Sequence, residues 1–304
     1  MTSVAPDLLR EDRFASMGTE CSVLAPPDRS DGLALASAVF TEWDERFSRF
    51  RADSELSRLN ARAGRETEVS RSMFAAVEAA SDAARATDGL FDPLLGRRMV
   101  ELGYDRTFTQ LPAHRSALTL GPWAAGAWRS LALNPIRHTV TLPAGTALDL
   151  GGIAKGMAVD AALHRLVAAG FPYAAVNAGG DMAVHGTPPG MSAWPIAIEL
   201  GAERDRVVML PSGALATSSV LRRRWRTNGT EQHHLLDPRS GLPSLSGVVQ
   251  ASVAAASCRQ AEVAAKAALL SGPVGGMDFL ERHGLAGLLL TDDGAEWRAG
   301  SWTS

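Results

Sequence analysis

The chain of 304 residues and 32.1 kDa is 46% hydrophobic and 21% charged, enough apolar material for one large domain or two modest ones. Thirty basic residues against 33 acidic ones leave a formal net charge of −3, which excludes the bulk positive field of a nucleic-acid binder. Cys21 and Cys258 are too few for a disulfide framework or a zinc site, and two reduced thiols are expected.

The opening stretch "MTSVAPDLLREDRFASMGTEC" is charged at positions 7, 10, 11, 12 and 13 and lacks an uninterrupted apolar core. No charge-free run of about 18 apolar residues follows, so a cytoplasmic protein without a membrane span is expected. "RFASMGTECSVLAP" reads as one strand closed by Pro26-Pro27. Over 32–50, Leu33, Ala36, Phe40, Trp43 and Phe47 recur three or four apart, one face of a helix. A short helix opens at Ser54 and stops at Gly64, and a longer one ends at Asp88-Gly89 before the turn at Asp92-Pro93. Residues 126–150 read as a strand pair joined near Asn134-Pro135, its second strand broken at Pro143 and resuming as "TALDL". A helix from about Ile153 to Ala169 is ended by Gly170, and "YAAVNAGGDMAVHG" is strand, glycine turn, strand. Strands are expected at 194–200, 206–210 and 248–255, a helix in "SCRQAEVAAKAALLSG" and another around 275–283. "LAGLLLTDD" and "AEWRAG" form the last strand pair. Helices dominate the first third and strands the rest, which predicts an α+β protein.

Five stretches can carry chemistry. Asp149-Leu-Gly-Gly-Ile-Ala-Lys155 combines glycines, a lysine and a helix start, which suits a phosphate, although it matches neither the Walker nor the dinucleotide pattern. The plain alternative is a tight turn with a solvent-facing lysine. Asn177-Ala-Gly-Gly-Asp181 is a second glycine turn, or a simple hairpin. In "HHLLDPRSGLP", His234 is the type of side chain that accepts a proton near neutral pH, or both histidines are solvated on a surface hairpin. Thr217, Ser218 and Ser219, followed by three arginines, suit a phosphate or the edge of a base, or make an edge strand with a basic run. Glu262 and Lys266 lie four apart on one helical face, either as an ordinary surface pair or as a pair held in a mostly buried helix.

The order of the motifs is more specific than any one of them. Met17-Gly-Thr19, Ser54-Glu-Leu-Ser-Arg-Leu-Asn60, Gly89-Leu-Phe-Asp-Pro93, Asp149-Leu-Gly-Gly-Ile-Ala-Lys-Gly156, Asn177-Ala-Gly-Gly-Asp181, Ala216-Thr-Ser218 and His234-Leu-Leu-Asp-Pro238 follow one another along the chain. In this the sequence resembles the ApbE family, the FAD:protein FMN transferases, from about residue 14 to residue 300. The resemblance implies one domain over 1–304 with a two-lobed, T-fold-like α+β architecture, the lobes interleaved without a clear linker and FAD in the cleft between them. It implies an enzyme that splits the FAD pyrophosphate with Mg²⁺, attaches FMN by a phosphoester to a threonine or serine of a partner flavoprotein, and releases AMP. The family's FAD contacts fall on Met17, Phe50 (where tyrosine is more usual), Leu90, Phe91, Asp92, Asp149 and Lys155. Asn177, Gly179, Gly180, Thr217, Ser218 and Leu236 complete the implied nucleotide site. Gly152 aligns with a residue whose carbonyl faces the metal. His234 matches the histidine that takes the proton of the acceptor hydroxyl, and Lys155 supplies positive charge at the phosphates.

One departure bears on the metal. The family's late helix reads Ala-Asp-x-x-Ala-Thr-Ala, in which the aspartate and threonine help hold Mg²⁺, and here it is Ala261-Glu262-Val-Ala-Ala-Lys266-Ala267. Glu262 remains a hard oxygen ligand, whereas a protonated Lys266 has no lone pair to give. Lys266 standing in for the metal, a displaced metal on Asp149 and Glu262, or FAD binding with little or no transfer all remain open. The last would make the chain a flavin-storing or flavin-delivering protein, or a weak FAD pyrophosphatase. The segment "SGAL" at 212–215 is not the sequence the family modifies, so an external acceptor is expected.

Overall fold

Two consecutive residues with positive φ, Met17 at 49° and Gly18 at 70°, turn the expected single N-terminal strand into a hairpin. The computed structural model describes residues 8–112, 114–115, 120–200 and 205–301, so positions 1–7 of the charged opening stretch lie outside the described residues. The chain divides into two units built from interleaved segments. Unit 1 is Met1–Glu42, Lys155–Ser218 and Ser246–Ser304, and unit 2 is Trp43–Ala154 and Ser219–Leu245.

Among the described residues the main sheet has eight strands: β1 (Arg10–Ser16), β2 (Thr19–Ala25), β3 (Ala174–Ala178), β4 (Asp181–His185), β5 (Gly213–Ser219), β6 (Val248–Ala255), β7 (Ala286–Thr291) and β8 (Glu296–Ala299). Their order across the sheet is their order along the chain. β5 is therefore an interior strand between β4 and β6, not the edge strand that its flanking arginines suggest. The helices are α1 (Gly32–Phe47), α2 (Glu55–Asn60), α3 (Arg71–Ala86), α4 (Gly96–Glu101), α5 (Ala154–Ala168), α6 (Cys258–Leu270) and α7 (Gly272–Arg282).

In unit 1, α6 packs on β6, and α7 packs on α6 and β7. A two-stranded ribbon, Trp194–Ile198 with Arg206–Leu210, buries Trp194, Ile196, Ile198, Val208 and Leu210 against Ala175, Val184, Leu215, Leu288 and Leu290 of the sheet. Each large side chain removed from water here contributes about 1.5–3 kcal/mol. Cys21 and Cys258 are both free and buried, and burial pushes the Cys21 thiol up to about 11.

In unit 2, Ser54 and Ser70 cap α2 and α3 by accepting from the N–H of Ser57 and Met73. Thr139–Thr141 is the centre of a small sheet flanked by Ala132–Asn134 and by Thr67–Glu68, a strand too short to show an alternating pattern. The expected strand after Pro143 does not form: Ala147 makes only an isolated parallel bridge to Leu95. The ribbon Arg224–Thr227 with Thr230–His233 turns at Asn228-Gly229, both at positive φ, an Asn-Gly hairpin signal that the arginine run overshadows in the sequence. Trp225 and Leu236 join Leu95, Met99, Leu102 and Tyr104 in this unit's core, with Trp225 Nε1 and Thr227 Oγ1 both donating to the Leu102 carbonyl at 2.9 Å. No helix among the described residues is long and apolar enough to cross a membrane.

Candidate active site

In unit 1 the predicted residues gather at one end of the sheet. β2 pairs with β3 so that Cys21 faces Ala178, and the Gly179 N–H donates to the Glu20 carbonyl at 3.1 Å. The turns Met17-Gly18 and Gly179-Gly180 therefore lie side by side. Gly179 has φ 65°, and a Cβ there would stand 2.2 Å from Thr19 Oγ1, so both backbone conformation and space demand glycine. Gly180 has φ 99° and open space where a Cβ would be, which leaves its backbone approachable; its N–H is held by Asn177 Oδ1 at 3.0 Å. Leu215 of β5 pairs with Met182, which carries Thr217 and Ser218 to the level of the same turn. Thr217 Oγ1 lies 2.8 Å from Ser252 Oγ on β6.

Lys155 stands in the first turn of α5. Its side chain is only 16% exposed, so it is not the solvent-facing lysine of the plain alternative. Nζ is paired with Asp181, whose side chain is 2% exposed, and lies 3.0 Å from Glu262 Oε1. Glu262 Oε2 accepts the Gly156 N–H at 2.8 Å. Glu262 is thus a buried group tied to α5, which rules out the ordinary surface pair as its reason for being on α6. Asp181 closes the glycine motif, yet its role is invisible in the sequence because Lys155 is 26 positions away.

In unit 2 the predicted residues form a second cluster. Asp149 Oδ1 accepts from the Gly151 N–H at 2.7 Å, and Oδ2 pairs with Arg49 Nε at 3.0 Å. The Arg49 guanidinium stacks 4.1 Å from the Phe50 ring centre and 4.6 Å from that of Tyr104, and Nη1 donates to the Tyr104 carbonyl at 2.6 Å. Nη2 of Arg49 is buried without a partner. Phe50 is 37% exposed, an aromatic face available to a planar ligand, with Tyr104 packed behind it at 5.5 Å. Asn60 brackets Leu148, donating to its carbonyl at 2.9 Å and accepting its N–H at 2.7 Å, while the Asp149 N–H donates to the Pro93 carbonyl at 2.8 Å. These bonds fix the Asp149-Leu-Gly-Gly152 turn against the Leu90-Phe91-Asp92-Pro93 run. Phe91 and Asp92 are themselves buried, as is Leu236, so their side chains are turned away from solvent. Arg49, Tyr104 and Asn60 carry this geometry, and no sequence spacing marks the first two.

The two histidines differ, contrary to the picture of a solvated pair. His233 is buried at the end of its strand, with Nε2 donating to the Ser244 carbonyl at 3.1 Å, and burial pushes its pKa below the usual 6.5. It is a structural, neutral imidazole. His234, one residue on, is half-buried. Asp237 is held by Arg239 at 2.8 Å; burial alone would raise its pKa, and the guanidinium outweighs it, leaving the carboxyl below the usual range.

The donor set does not fit an ordinary Mg²⁺ site. In unit 1 both oxygens of Glu262 serve the Lys155 ammonium and the Gly156 N–H, and Lys266, four residues further along α6, is a side chain with no lone pair to give when protonated. Among the described residues no group of three His, Cys, Asp or Glu side chains is arranged to hold a metal ion.

A model of the ApbE family matches residues 17–289. The chain is 33% identical over 310 residues to a FAD:protein FMN transferase from Rhodobacter capsulatus, covering 97% of this chain and 57% of the relative. It is 31% identical over 278 residues to a FAD:protein FMN transferase from Treponema pallidum, covering 84% of this chain and 77% of the relative. The chain thus spans little more than half the length of the first of these. Among solved structures it is similar to the ApbE protein of Thermotoga maritima, with a TM-score of 0.85, 25% identity, and coverage of 96% of this chain and 97% of that one. The apo flavinyl transferase ApbE of Pseudomonas stutzeri gives a TM-score of 0.83 at 24% identity, a likeness of fold, with 98% and 96% covered.

Proposed function

The chain belongs to the ApbE family, and from that premise we propose that it is a FAD:protein FMN transferase, taking FAD as donor and a threonine or serine of a flavoprotein as acceptor. The observation that carries this reading is the convergence of Met17, Lys155, Asn177, Gly179, Gly180, Thr217 and Ser218 at one end of the sheet in unit 1, a cradle of approachable backbone beside an ammonium. Such a cradle suits a diphosphate, and the Phe50 face with its Arg49 backing suits a flat ring. On this reading the acceptor hydroxyl oxygen attacks the FMN-side phosphorus, the bond from that phosphorus to the oxygen of AMP breaks, and AMP leaves with the electron pair. His234 takes the hydroxyl proton, since a neutral hydroxyl is a poor nucleophile without a base within reach. Lys155 steadies the charge that builds on the phosphate oxygens, which requires it to loosen its hold on Asp181 as the ligand enters. No step is assigned to a divalent cation, since Glu262 is engaged by the Lys155 ammonium and the Gly156 N–H.

The test is a mass spectrum of a recombinant flavoprotein acceptor after incubation with this chain and FAD. The acceptor should gain one FMN, and the gain should vanish when the modified threonine or serine is replaced by alanine. Binding of FAD with no gain on two unrelated acceptors would leave a flavin-binding protein without transfer and end the transferase reading.

A further inference from the structure

The mismatch between this donor set and a divalent cation has a consistent chemical solution on the same helix. Lys155, Asp181 and Glu262 form a buried set of one ammonium and two carboxylates, a net charge of −1 that would repel a diphosphate. One further positive charge is needed at this place. Lys266 lies four residues after Glu262, on the same face of α6, and it is the single position from Ala261 to Leu270 that is not buried. Its charge, directed to the same place, would bring the set to neutrality. A divalent cation on Glu262 would compete with Lys155 for Oε1 and with the Gly156 N–H for Oε2.

Building on the reading of this chain as a FAD-using transferase, we propose that it holds the FAD diphosphate with Lys155 and Lys266 in place of a divalent cation, so that FAD binding needs no metal. Glu262 is then a positioning residue: it fixes Lys155 and pins the start of α5 rather than coordinating an ion. The longer stem of glutamate compared with aspartate lets its carboxylate span from α6 to both the ammonium and the Gly156 N–H. Glutamate at 262 and lysine at 266 act as one solution.

The experiment titrates the full chain with FAD, following flavin fluorescence, once in EDTA and once in millimolar Mg²⁺, and separately titrates the FAD-loaded chain with Mn²⁺ by electron paramagnetic resonance. The wild type should bind FAD with a Kd that differs by less than about threefold between the two conditions, and should take up no stoichiometric Mn²⁺. Lys266→Thr and Lys266→Gln should each weaken FAD binding in EDTA by about tenfold or more, the scale of one charge-assisted contact to phosphate. Lys266→Thr should recover when Mg²⁺ is added, and Lys266→Arg should stay metal-independent. Circular dichroism melts establish that each variant is folded. A wild type whose FAD affinity rises more than threefold with Mg²⁺, or that binds one Mn²⁺ per chain, overturns the proposal while leaving the transferase reading intact. So does a folded Lys266→Gln that binds FAD in EDTA as tightly as the wild type. A wild type that binds no FAD in either condition sinks the transferase reading itself.

Discussion

His233 and His234 show how far adjacent identical residues diverge once the chain is folded. A strand end places the first against the Ser244 carbonyl and out of water, and the next residue steps off the strand into a bend. Because burial lowers the folded-state pKa of His233, the unfolded chain binds the proton more tightly, so stability is full above the unfolded value and lost as pH falls below about 6.5. His233→Gln keeps an N–H donor for Ser244 and cannot ionise. Its melting temperature should therefore fall less than that of the wild type between pH 7 and pH 5, even if it is lower at pH 7. Equal slopes for the two proteins would remove His233 as the titrating group. Met17 is another residue whose position the sequence marks without its reason. A non-glycine side chain held at φ 49° costs about 1–2 kcal/mol, and such strain concentrates where a ligand is met. Arg49 and Asp181 escape sequence reading for the opposite cause, since their partners are distant in the chain and burial alone creates the pairing.

At the level of elements, the lysine end of α5 is fixed by α6. Asp160, one turn past Gly156, accepts the N–H groups of Cys258 and Arg259 at 2.8 and 3.0 Å and so completes the α6 N-terminus that Ser257 caps from its own chain end. A Cβ on Gly156 would stand 2.7 Å from the Arg259 nitrogen and the Cys258 carbonyl, so the two helices touch through backbone. Asp160→Ala should cost about 1.5–3 kcal/mol by orphaning two N–H groups from a charged acceptor. Gly156→Ala should cost about 1–3 kcal/mol by overpacking and should also move Lys155 away from Glu262. Urea unfolding of both variants measures these losses, and a Gly156→Ala protein as stable as the wild type would mean the helices separate freely. The helices themselves were legible, because apolar residues three and four apart and serine caps state a helix locally. The first hairpin was not, because Met17 hides a left-handed turn that glycine or asparagine would have announced. The strand expected after Pro143 fails for a different reason: "TALDL" alternates well enough, but its neighbours give it one bridge and no ladder.

Across the whole molecule, the α+β class follows from the balance of helical and alternating patterns, whereas the division into two units does not. Each unit is assembled from segments far apart in sequence, and no linker composition marks the changeovers. Sheet order was equally hidden, because β2 and β3 pair across an insertion of well over a hundred residues. The candidate residues divide the same way: the cradle around Lys155 belongs to unit 1 and His234 to unit 2. This separates two measurable roles. A base that acts only on the acceptor hydroxyl contributes to the transfer step and not to holding FAD, so it lowers the rate without changing the affinity. His234→Ala should keep the Kd for FAD within about twofold while FMN transfer falls by about 10²- to 10⁴-fold, the usual reach of general base catalysis. Flavin fluorescence reads the first quantity and timed mass spectra of the acceptor read the second. Transfer at the wild-type rate would dismiss His234 as the base. A parallel loss of FAD affinity would instead move it among the groups that hold the nucleotide, and the proton acceptor would then have to be sought elsewhere in the chain.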